Sequence, residues 1–463
     1  MKTTQRFHAS EAARHLAALV AVALLITLPL SRATHAQDTD RTDAQMTNTP
    51  APTYVIRNAR IVTVSGADIE NGALVISGGR ITAIGASVSP PAGAQEIDAR
   101  GLSVYPGMID LGTNMGLTEI SGGAPGTLDT QEIGEMNPNI AAVWAINPHS
   151  SHFAVTRVAG VTSVLSLPAG GVISGQGAII NLAGSSPREM AVVPQAALMV
   201  EFPRVGGGGG GFAAFLAAQQ GITPDALTQR DRRVEELRRM LRDAEAYGRA
   251  QDAYAKDPKN IPRPGTDLKL AALMPYARGE RPVIFRAERE HDIRSAIRFA
   301  EEMKLKPIII GASEGWKVAA FLKEKNVPVI LDGVLNLPLR EDDAYDSLYE
   351  NAAKLQAAGV RFCISTGDSG AHVRDLPFNA GMAAAYGLPK SEALKSVTLY
   401  PAQIMGVADR MGSIEQGKIA NLVITDGDIL EARTNIRHLF IAGRQIPLTS
   451  RHTMLNDQFK DRK

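Results

Sequence analysis

Cysteine is all but missing from this chain: Cys363 is the only one in 463 residues, so no intramolecular disulfide can form and the core must hold the fold. Cys363 lies in an apolar strand pattern and reads as an inert core thiol. Aromatic residues are only 5% and the net charge only +1, so there is no basic stripe with interleaved aromatics and no nucleic-acid surface is expected. Long apolar runs are confined to the start, so no stable membrane span is expected in the mature chain.

That early run is informative. Lys2, Arg6 and Arg14 precede an apolar stretch over residues 16–30, and Thr34-His35-Ala36 offers a small-residue cleavage site before Gln37. Residues 1–36 are read as a secretory signal peptide, and the protein as secreted, most simply to a periplasm. No cysteine follows the run, which argues against a lipoprotein. Residues 37–52 are polar and read as a flexible leader.

The pattern then turns to β. Tyr54-Val55-Ile56 and Ala59-Arg60-Ile61-Val62 are rich in β-branched residues, and Gly78-Gly79 joins two further apolar runs as in a hairpin. The same character returns at Leu422-Val423-Ile424 and His438-Leu439-Phe440-Ile441, so the two chain ends are expected to pack together. Between them, short apolar strands alternate with amphipathic helices from Pro282 onward. Ile293, Ala296, Ile297 and Ala300 carry the helical spacing, and Pro307-Ile308-Ile309-Ile310 is the next strand. Fully apolar strands separated by such helices imply a parallel sheet covered on both faces. Four units in a row fit half of a (β/α)8 barrel. Residues 186–268 break the rhythm with the glycine run 206–211 and a charged helix whose stripe is Val234, Leu237, Leu241 and Ala244. That helix is either a solvated surface element packed on the barrel or a lid or partner-binding arm.

Three stretches together carry a family resemblance: residues 101–110, with Pro106-Gly107-Met108-Ile109-Asp110, then residues 359–369, with Ser365-Thr366-Gly367-Asp368-Ser369, then residues 388–427, with Gly412-Ser413-Ile414-Glu415-Gln416-Gly417-Lys418-Ile419-Ala420-Asn421-Leu422-Val423. They resemble the amidohydrolase superfamily, its imidazolonepropionase-like and prolidase-like branch. The resemblance implies an α/β fold: a (β/α)8 TIM-type barrel over residues 107–410, with 186–268 as an atypical insertion. A small β-sandwich domain would form from both chain ends, residues 53–106 and 411–449, followed by a tail, 450–463. It also implies a hydrolase acting on carbon–nitrogen bonds other than peptide bonds, with a zinc centre at the barrel mouth.

Carried over position by position, that centre is largely missing. The His-x-His expected after the first strand is Gly112 and Asn114; the fifth-strand ligand position is Arg286 and the sixth is Gly311. A guanidinium only donates and stays charged, so it repels a metal. Asp368 is the one family ligand that survives. One aspartate does not hold zinc, which takes three or four donors. The candidate catalytic residues are therefore Asp368, His372 and Arg286, with Asn114 and Glu288 as candidate ligand contacts and Asp368 as the sole metal ligand. Arg286 and Glu288 form either a structural ion pair or a charged pocket in which Arg286 clamps a carboxylate and Asp368 acts as base. His149 and His152 have the spacing of a shared helix face, and Glu201 is a candidate acid from a middle strand. Two functions remain: a hydrolase with a non-standard site, or an inactive barrel that binds a small molecule or a protein partner. A homo-oligomer is compatible with either.

Overall fold

The computed structural model describes residues 52–120, 125–204, 226–367 and 370–462. The expected signal peptide, nearly all of the leader, the glycine run 206–211 and Asp368 lie outside these residues. Among the described residues, no helix is long and apolar enough to cross a membrane.

Two eight-stranded sheets organise the chain. The outer sheet takes five strands from the start: β1 (Tyr54–Ile61), β2 (Ile69–Ser77), β3 (Arg80–Gly85), β4 (Gln95–Asp98) and β5 (Ser103–Pro106). The barrel sheet follows as β6 (Met108–Thr113), β7 (Val161–Ser166), β8 (Ile173–Asn181), β9 (Ala191–Glu201), β10 (Pro282–Ala287), β11 (Lys306–Gly311), β12 (Val329–Leu331) and β13 (Phe362–Ile364). The chain then returns to the outer sheet as β14 (Leu422–Thr425), β15 (Ile436–Ile441) and β16 (Arg444–Ile446). Strand β5 joins the halves, lying parallel to β1 and antiparallel to β14. The two chain ends thus build the additional sheet domain, around its own core of Ile56, Leu74, Val104, Leu422 and Phe440.

The barrel strands run in chain order, β6 to β13. Seven are mutually parallel; β8 is antiparallel to both its neighbours. That departs from the eight repeated units expected, and the cause is local. Between β8 and β9 there is room only for a four-residue helix, Pro187–Met190. A parallel crossover needs a dozen or more residues, whereas an antiparallel neighbour needs only a tight turn.

Side chains alternate faces along each strand. Leu165, Ala197, Met199, Ile284, Ile308, Ile310, Ile330 and Cys363 fill the barrel interior. Their neighbours Val283, Phe285 and Ile309 pack outward against the helices. Both faces are buried, which is why these strands read as unbroken apolar runs. Outside, helix Glu290–Glu302 buries Ile293, Ala296, Ile297 and Ala300, the stripe expected of it. Helix Ala226–Lys256 buries Leu237, Leu241 and Ala244 against the same layer.

Candidate functional site

The same alternation dictates what stands at the barrel mouth. Continuing two residues past Met199, Ile284, Ile330 and Cys363 brings Glu201, Arg286, Asp332 and Ser365 to the C-terminal ends of their strands, on the interior side. Where the interior stops being apolar, three of these four are ionisable.

Arg286 is the hub. Its Nε donates to Glu201 Oε1 at 3.2 Å and its Nη1 to Asp332 Oδ2 at 3.1 Å. Glu201 and Arg286 are direct partners in the pairing of β9 with β10, so their side chains leave from the same level. Burial alone would lower the guanidinium, but the carboxylates of Asp332, Glu201 and Glu288 outweigh it and raise it above its ordinary value. Asp332 is 9% exposed. Burial pushes its carboxyl up, Glu288 pushes it further, Arg286 opposes, and the group ends at about 7.

Of the two alternatives for Arg286 and Glu288, the direct ion pair does not form. Glu288 Oε2 instead accepts from Ser313 Oγ at 2.7 Å and Ser313 N at 3.3 Å. Its carboxylate lies over Gly311, in the space a side chain there would take. Gly311 has φ +101°, a conformation that a side chain would also resist. At the first strand, a Cβ on Gly112 would come within 2.5 Å of Ser365 Oγ and 3.1 Å of Ile310 Cδ1. At the two missing histidine positions that are glycines, the side-chain space is therefore occupied by other protein groups.

Asp110 closes the barrel. Fully buried, it accepts from Gly112 N at 2.9 Å within β6. Across the seam it accepts from Ser365 Oγ, from Thr366 N at 3.1 Å and from Thr366 Oγ1 at 2.6 Å. One carboxylate thus ties the first strand to the chain leaving the last. Next to it, Asn114 Oδ1 is buried and, among the described residues, has no hydrogen-bond partner.

The histidines are dispersed. His372 is more than half exposed, and its Nδ1 stands 3.3 Å from Asp375 Oδ2 on the following turn. His149 and His152 do not share a helix face. The helix begins only at Ser151, capped by Ser150, and His149 lies before it on the Asn147-Pro148 turn. The His152 ring donates from Nε2 to the Glu119 carbonyl at 2.8 Å. Among the described residues, no group of three or more His, Cys, Asp or Glu side chains is placed to hold a metal ion. Asp368 follows Gly367, above which Asp332 is packed.

Asp332 was missed by sequence reasoning. A faint signal exists: Leu331-Asp332-Gly333 ends a three-residue apolar strand, and Asp332 is in phase with Ile330.

Residues 310–446 match the amidohydrolase family. Among solved structures, an amidohydrolase from Thermotoga maritima MSB8 aligns with TM-score 0.74 at 26% identity, over 85% of this chain and 99% of that one. Molinate hydrolase aligns with TM-score 0.53 at 17% identity, over 86% and 96% of the two chains. A prolidase complexed with N-methylphosphonate-L-proline aligns with TM-score 0.51 at 17% identity, over 85% and 99%. These last two are similar in fold alone. A curated N-acetylglucosamine-6-phosphate deacetylase of Haemophilus influenzae is 51% identical over 37 residues, which is 8% of this chain and 10% of that relative's length.

Proposed function

Given that the chain carries an amidohydrolase-superfamily barrel, we propose that it is an exported hydrolase of a non-peptide carbon–nitrogen bond, working with a carboxylate–arginine centre where the family places its metal. The observation that carries this reading is the buried Asp332 held against Arg286 at the mouth, with its carboxyl at about 7.

A zinc pair does not suit this donor set. Gly112 and Gly311 offer no side-chain donor, and their side-chain space is filled. Arg286 places a permanent cation where the fifth-strand ligand would be, tied down by two carboxylates. No step of the proposed chemistry runs through a metal.

A general base works best when its pKa lies near the working pH, because it is then both available and strong enough. Asp332 meets that condition. In the proposed step its ionised carboxylate takes a proton from water as the water oxygen bonds to the substrate's carbonyl carbon. The C–N bond then breaks, and the proton leaves with the amine. Arg286 fixes the Asp332 carboxylate and supplies positive charge beside the developing oxyanion. Asn114 Oδ1, buried and without a partner among the described residues, is suited to accept a hydrogen bond from a substrate N–H. Glu288, whose carboxylate lies over Gly311, is assigned to the rim of the same site.

The test uses mature protein dialysed against a chelator, its metal content measured, and a panel of N-acyl amines, cyclic amides and ureas. Turnover that survives chelation and is lost in Asp332→Asn supports the reading. Turnover that requires stoichiometric zinc overturns it, as does full activity in Asp332→Asn. Ligand binding without any turnover would make the chain a binding protein instead. Export is checked by N-terminal sequencing of protein from the periplasmic fraction, with Gln37 expected as the first residue.

A further inference from the structure

The segment between β6 and helix Ser151–Arg157 leaves the barrel at the same end as Asp332. Together with Pro168, which follows β7, it lines an open hollow of about 300 Å3. Leu117, Ile140 and Pro168 give it apolar walls, and Asp129, Glu132 and Trp144 give it its chemistry.

Trp144 is 69% exposed, an unusual state for the largest apolar side chain. Asp129 and Glu132 are exposed too, and among the described residues neither side chain has an ion pair or a hydrogen bond. Among the described residues, no lysine, arginine or histidine lines the hollow. The other tryptophan, Trp316, has Lys354 Nζ 4.7 Å and Lys317 Nζ 5.1 Å from its ring centroid. Among the described residues, no such cation stands over Trp144.

An indole face attracts cations through its quadrupole, and two uncompensated carboxylates add a field of the same sense. Apolar walls favour a cation that carries alkyl groups over a strongly hydrated one. We propose that this hollow binds an organic cation, an alkylammonium or quaternary ammonium group, stacked on Trp144 and flanked by Asp129 and Glu132. The site stands independently of the chemistry assigned to Asp332, and its test needs no turnover.

Isothermal titration of the full mature chain compares choline with 3,3-dimethyl-1-butanol, the uncharged carbon isostere of the same shape. Choline is expected to bind at least about fivefold more tightly, by a margin that shrinks as salt is raised. Asp129→Asn with Glu132→Gln should shrink that margin to the part the indole face supplies, and Trp144→Ala should abolish binding of both. All three side chains are exposed, so the variants should melt with the parent, which circular dichroism verifies. Equal affinity for the two ligands would overturn the proposal in favour of a neutral apolar or sugar-like ligand. Choline binding that survives Trp144→Ala, or no choline binding at all, overturns it outright.

Discussion

Replacing Asp332 with asparagine separates the cost of a poised carboxylate from its shape. The folded chain holds this group at about 7, whereas an unfolded aspartate titrates near about 4. Between these values the native state keeps a proton that the unfolded state has released. The stabilising effect of the protonated group is therefore complete below about pH 4 and is lost as pH rises through about 7. Each pKa unit corresponds to about 1.4 kcal/mol, so the loss amounts to about 4 kcal/mol by pH 8. For a chain of this size that is about 5 °C in melting temperature. The substituted amide would keep the volume and the contact over Gly367, and Arg286 would keep Glu201. Melting temperatures of parent and variant from pH 4 to pH 8 should therefore converge or cross, with the parent losing ground as pH rises. Curves that stay parallel would refute the reasoning, because Asp332 would then ionise as an ordinary carboxylate. In an active preparation, kcat/KM should rise with the loss of one proton near pH 7.

Restoring the family's histidine by Gly311→His should not restore a metal site. The new side chain would overlap the Glu288 carboxylate on a backbone at φ +101°, and a loss of about 3 kcal/mol with no zinc uptake is expected in melting and metal analysis. Asp110→Ala leaves Ser365, Thr366 and the Gly112 amide without their acceptor; a loss of about 3–5 kcal/mol should appear, with faster hydrogen exchange in β6 and β13. Asn421 Nδ2 donates to Ser163 Oγ and Asn181 Oδ1 while its Oδ1 accepts from Ala442 N, so Asn421→Ala should cost about 2–3 kcal/mol and speed exchange in β15 and β16 before the barrel.

Much of the architecture was written locally. Strands β10 to β13 are buried on both faces and alternate with helices such as Glu290–Glu302, so apolar runs and a 3.6-residue stripe identify them. The reversal of β8 was not readable, because it depends on how short the connection to β9 is, not on any residue within the strand. The mouth was half legible. Motif position located Gly112, Asn114 and Arg286, yet the partner of Arg286 could not be read, since Glu201 lies 85 residues away and Asp332 lies 46. The carboxyl of Asp332 at about 7 arises from burial among groups brought together by three strands, and no sequence window contains them.

The outer sheet has a consequence in time. Strand β5 meets β14 only after more than 300 further residues have been made. At roughly 5–20 residues per second, an edge of β5 waits on the order of 15–60 s for its neighbour. Closing so long a loop adds little thermodynamic cost, because that cost grows only with the logarithm of length. The delay is a hazard of kinetics: an open strand edge can pair with another chain. The barrel strands succeed one another in order and can condense while the outer sheet is still incomplete. A ribosome that stops before Leu422 would thus release a chain whose first-made strands have no second half to join, and aggregation should set the fate of such fragments.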